Sequence, residues 1–132
     1  MTGFIIIAMA ATYLVWSFYL EDTLPKIFRQ RYCMGKHWKA EFSEHSASDI
    51  RSFLIFFVDA FAFDRKDKLQ FEPNDKLLVI YRELYPHKWQ ADAMEFETLA
   101  DDLYQKFGID FGSLWYDDLT LGELYQAISE VQ

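Results

Sequence analysis

The side chains of this 132-residue chain that could do chemistry are three histidines, one cysteine and 21 carboxylates. His37, His45 and His87 lack the spacing of a zinc helix such as H-E-x-x-H, so they give no metal site. Glu41, His45 and Asp49 recur at every fourth position, but that run crosses a cap, and surface histidines are the expectation. Cys33 has no neighbouring base to activate it as a nucleophile, and a lone thiol gives neither a disulfide framework nor a zinc module. The adjacent pairs Asp101–Asp102 and Asp117–Asp118 would diverge on a helix, which makes poor catalytic dyads. Asp64–Asp75 lacks the alternating oxygen ligands and sixth-position glycine of a calcium loop. Gly is too sparse, at 5 residues, for a phosphate-cradling loop. The expectation is a non-enzyme with no cofactor and no metal.

Charge and hydropathy are distributed unevenly along the chain. The net charge is -8 and the pI about 4.7, which argues against a general nucleic-acid binder. Between Phe4 and Leu20 only Thr12 and Ser17 are not apolar, and no charged side chain precedes Glu21. Twenty helical residues span about 30 Å, the hydrocarbon thickness of a bilayer. Tyr13, Trp16 and Tyr19 suit an interface. Lys26, Arg29, Arg31, Lys36 and Lys39 follow the run, and the positive-inside rule places them in the cytoplasm. After residue 40 the balance turns strongly acidic, with 8 basic against 19 acidic side chains. The reading is a transmembrane anchor at 1–20, a basic juxtamembrane helix and connector at 21–45, and a domain at 46–132. The location expected is a single pass through a bacterial inner membrane, with the C-terminal domain cytoplasmic. The competing readings are a soluble all-helical domain with the N-terminal segment in its core, and a start at Met34.

The domain reads as all-α. Leu24, Ile27 and Phe28 have helical spacing behind Pro25. A helix over Ser48–Ala62, capped by Ser46 or Ser48, carries Ile50, Phe53, Leu54, Phe57 and Phe61 on one stripe, with Phe56 off it. Asp64–Asp75 is a polar connector, and Asp75 caps a segment over Lys76–Tyr85 that Pro86 ends. A second long helix over Ala91–Phe107 buries Phe96, Leu99, Ala100, Leu103 and Phe107, and Gly108 terminates it. A short piece at Gly112–Asp117 follows. The last helix opens on the capping box Thr120-Leu-Gly-Glu123, with Leu121, Leu124, Tyr125 and Ile128 inward.

Residues 48–130 resemble the acyl carrier protein family. The stretch Asp92-Ala-Met-Glu-Phe-Glu-Thr-Leu-Ala-Asp-Asp-Leu-Tyr-Gln-Lys-Phe107 is similar to the family's acidic second helix, which begins Asp-Ser-Leu. The tail Leu119-Thr-Leu-Gly-Glu-Leu-Tyr-Gln-Ala-Ile128 is similar to its closing helix. The resemblance implies a four-helix bundle with a short third helix. It also implies a phosphopantetheine arm on the serine after that aspartate. Here the position is Ala93, which has no hydroxyl to esterify. Thr98 within the helix and Ser113 beyond it do not replace it. The chain thus looks like a bacterial offshoot of the family without the prosthetic site. What the resemblance leaves is a partner surface: Asp92, Glu95, Glu97, Asp101 and Asp102 on the acidic helix, with Trp89 in the loop before it as an aromatic anchor.

Two function classes follow. One is a membrane-tethered, carrier-like interaction module that docks a basic protein partner through its acidic second helix. The other is an acidic immunity or antitoxin-like protein that neutralises a basic toxin by charge complementarity.

Overall fold

The computed structural model describes residues 24–85 and 94–132. The apolar run at 4–20 and the loop holding Trp89, Asp92 and Ala93 lie outside the described residues. The described elements are α1 (Lys26–Arg29), α2 (Gly35–Glu41), α3 (Ala47–Ala60), a 3-10 helix (Arg65–Gln70), α4 (Leu77–Leu84), α5 (Met94–Phe107), α6 (Phe111–Leu114) and α7 (Leu121–Glu130). The described residues are all-α, with an isolated antiparallel bridge between Lys76 and Thr120. None of the described helices is long and apolar enough to cross a membrane.

Local chemistry explains where the helices begin and end. Ser46 accepts a hydrogen bond from the Asp49 N–H and starts α3. At the other end the Phe63 N–H reaches the Val58 carbonyl at 2.8 Å and the Ala62 N–H reaches Asp59 at 3.2 Å. This is a Schellman closure, and its left-handed position is filled by Ala62 at φ 60° rather than by glycine. Gly108 fills the comparable position after α5 at φ 68°. Thr120 and Glu123 form the expected capping box at the start of α7.

The apolar faces of α3, α5 and α7 meet in one core, as their periodicity predicts. Phe56 is half-buried and packs edge-on against Phe107, 5.4 Å between ring centres, so α5 covers it. The segment before residue 46 enters the same core: Leu24, Phe28, Trp38 and Phe42 are all buried there. Ile27 points outward, 44% exposed, because so short a helix presents only one narrow face.

Asp75 does not cap α4. The cap position belongs to Lys76, which makes no side-chain cap bond. The Asp75 carboxylate is buried and takes both guanidinium nitrogens of Arg31, at 2.6 and 2.8 Å, and the Glu72 N–H at 2.8 Å. Arg31 also donates to the Gln70 carbonyl and lies 4.9 Å above the Phe28 ring. The Gln70 amide donates in turn to the carbonyls of Phe28 and Arg31. The polar connector of the sequence reading is therefore a clasp that holds α1 to the domain. The bond to Asp75 is the main cause that raises the Arg31 pKa above its ordinary value, so the guanidinium keeps its charge. Removing one partner leaves the other charge half-stranded. Asp75→Ala is expected to cost about 2–3 kcal/mol, below the full value for a buried pair because Arg31 keeps some solvent. Urea unfolding of the variant against the parent measures it, and a loss under about 0.5 kcal/mol, the range of ordinary surface changes, would count against the clasp.

Candidate docking face

Helix α5 carries the four described acidic candidates. At 100° per residue, Leu99, Leu103, Phe96, Phe107 and Ala100 occupy an arc of roughly 100° that faces the core. Glu95 and Asp102, seven residues apart, fall on one edge of that arc. Glu97 and Asp101, four apart, fall on the opposite, solvent side. The four acids are thus two pairs rather than one patch.

The two pairs have different surroundings. Glu95 is half-buried and accepts a hydrogen bond from the Tyr85 hydroxyl at the end of α4. Its other oxygen is buried with no hydrogen-bond partner among the described residues. Asp102 is half-buried and lines a groove between α3 and α5 with Ser52, Asp59, Arg65 and Lys106. In that groove Arg65 is already bound to Asp59 through two nitrogens, at 3.1 and 2.8 Å. Glu97 and Asp101 are exposed. They are bracketed along the same face by Met94, 62% exposed, and Tyr104, 69% exposed. Sequence periodicity places Met94 and Tyr104 off the core arc, a signal that the reading of α5 by its acids alone passes over.

The other chemical candidates are placed as follows. His45 is not a free surface histidine: it is half-buried, with Nδ1 2.9 Å from the Tyr125 hydroxyl and its ring edge-on to Phe42. Burial raises the Tyr125 pKa, which keeps that hydroxyl protonated and able to donate. His37 is exposed, 3.7 Å from the Glu72 carboxylate. Cys33 is an exposed free thiol. Asp118 pairs with Lys76 at 3.1 Å on the surface. Among the described residues no group of three or more His, Cys, Asp or Glu side chains is placed to hold a metal ion.

Compared with family models, with curated proteins and with solved structures, the chain finds no match in any of the three.

Proposed function

We propose that the protein is a membrane-tethered interaction module, in which a carrier-like helical unit docks a basic protein partner through the outer face of α5. The observation that supports this best is the exposed run Met94, Glu97, Asp101, Tyr104, two carboxylates between two open apolar side chains. The carboxylates steer and orient a basic surface, and Met94 and Tyr104 supply area that resists dissociation. Ala93 removes the hydroxyl that a phosphopantetheine carrier needs, so docking rather than group transfer is the role left to the helix. Residues 4–20 are the tether, and the basic side chains from Lys26 to Lys39 hold the module on the cytoplasmic side. Tethering raises the local concentration of the module for partners at the same membrane.

The test is quantitative affinity purification from solubilised membranes. Glu97→Lys/Asp101→Lys is expected to reduce recovery of the bound partner about tenfold or more, since like charges then face each other across the contact. Asp102→Lys, on the other edge of the helix, is expected to change it little. Equal recovery with the parent and the double variant would remove α5 as the docking face. Deletion of residues 4–20 is expected to move the protein from the carbonate-resistant membrane fraction to the supernatant, and retention in the membrane fraction would refute the tether.

A further inference from the structure

Helices α1 and α2 gather positive charge on one part of the surface. Five basic side chains and no acidic one lie between residues 23 and 40. Lys26, Lys36 and Lys39 are exposed, and among the described residues none of the three pairs with a carboxylate, as Arg31, Arg65 and Lys76 each do. The end of the 3-10 helix brings the two helices together. Gln70 donates to the carbonyls of Phe28 and Arg31, and the neighbouring Leu69 carbonyl accepts from the Met34 N–H at 2.7 Å. Leu69 also shares an open groove with Lys36, Lys39 and the exposed Arg51. Tyr32, between α1 and α2, is 90% exposed. In a chain of net charge -8, this patch is a concentration of one sign against the general field. Leu24 fixes how far it can stand from the apolar run. That side chain is buried in the core only four residues after Leu20. Four residues reach at most about 14 Å, and the headgroup layer of a bilayer takes up about 5–8 Å of that. What is left is about one Debye length at physiological salt, ~8 Å.

We propose that the α1–α2 face lies on the bilayer surface and binds anionic phospholipid headgroups, with Lys26, Lys36 and Lys39 on the phosphates and Tyr32 at headgroup level. This rests on the reading of residues 4–20 as a tether. Each cation near an anionic leaflet shifts the balance toward contact about fivefold, so the three lysines together supply on the order of a hundredfold. A phenol, apolar in its ring and polar at its tip, suits that layer. The remainder of the chain turns the same way: after residue 40 there are 19 acidic against 8 basic side chains, which the anionic surface repels. Covalent reach also favours lipid over an acidic protein as the occupant, because the anchor holds headgroups beside this face at all times and a protein must first diffuse to it.

The test uses the full chain in nanodiscs of phosphatidylcholine alone or of phosphatidylcholine mixed with phosphatidylglycerol. Cys33, the single cysteine of the chain, is an exposed thiol beside Gly35, which lines the same groove, and it takes an NBD fluorophore there. Quenching by phosphatidylcholine that carries a nitroxide on its headgroup reports contact with the bilayer surface. In the mixed nanodiscs the quenching is expected to be about twofold deeper, and to return to the phosphatidylcholine level in about 0.5 M salt. Lys26→Gln/Lys36→Gln/Lys39→Gln replaces three exposed side chains and is expected to abolish the difference between the lipids, with the helical circular dichroism unchanged. Equal quenching of the parent in the two lipids would overturn the proposal and leave the patch to an acidic protein. A triple variant that keeps the parent's difference would overturn it as well. A chain that does not co-elute with the nanodiscs would instead refute the tether and, with it, this face. Co-elution is measured before quenching, so the two failures are told apart.

Discussion

A chain begun at Met34 is expected to fail to reach the native fold. It loses Leu24 and Phe28, which are 4% and 1% exposed in the intact molecule. Burial of each is worth about 1.5–3 kcal/mol. It also loses Arg31, and Asp75 is then left in the interior with only the Glu72 N–H for its charge. Phe71, fully buried and 5.0 Å from the Phe28 ring, becomes exposed on one side. Together these losses are on the order of 6 kcal/mol, comparable with the whole stability of an ordinary small domain. The measurement is urea denaturation followed by near-ultraviolet circular dichroism and tryptophan fluorescence. The shortened chain should give a broad, weakly cooperative signal with no sharp near-ultraviolet bands. A cooperative transition at the midpoint of the full chain would show that α1 contributes nothing to the fold.

Trp38→Ala is expected to destabilise the protein by about 3–5 kcal/mol, the range for removing a large aromatic from a core. Trp38 is 1% exposed and stands at a junction of rings. It stacks on Phe42 with ring centres 5.8 Å apart, tilts against Phe53 at 5.8 Å, and meets Tyr125 edge-on at 6.1 Å. Its Nε1–H also donates to the Phe71 carbonyl at 2.8 Å, which ties α2 to the segment after the 3-10 helix. Alanine removes the ring contacts and strands that carbonyl. Trp38→Phe keeps most of the packing and removes only the hydrogen bond, so it is expected to cost about 1–2 kcal/mol. Parallel urea titrations of the two variants separate the terms. If both cost the same small amount, the ring is not part of the core.

Both results turn on the segment before residue 46, where sequence reading and tertiary structure differ most. The helices over the domain were legible because each carries a clear stripe. Ile50, Phe53, Leu54 and Phe57 in α3, and Leu121, Leu124, Tyr125 and Ile128 in α7, are buried as their spacing predicts. Their ends were legible too, since Ser46, Gly108 and the Thr120–Glu123 box act through side chains and backbone within one turn. Residues 24–42 carry five basic side chains directly after the apolar run, a pattern that reads as a juxtamembrane connector. Phe28 and Trp38 are nevertheless in the core, because partners about forty and about thirty residues further on complete their surroundings. Asp75 followed the same rule: a residue with a local capping option took a stronger, bidentate partner 44 positions away.

The candidate site divides in the same way. That α5 is acidic is a property of composition, and so is the absence of a hydroxyl at Ala93. Which acids are available is a property of packing. Glu95 is engaged by Tyr85 from α4, and Asp102 is drawn into the groove beside α3, leaving Glu97 and Asp101 to solvent. The sequence by itself determined the helical class, the positions of the long helices and the separation of basic and acidic regions, because these depend on interactions a few residues apart or on charge summed along the chain. Only the tertiary structure decided that the basic segment is part of the core and that Asp75 clasps Arg31. Those features join residues far apart in the chain, and no local pattern specifies which distant partner will be met.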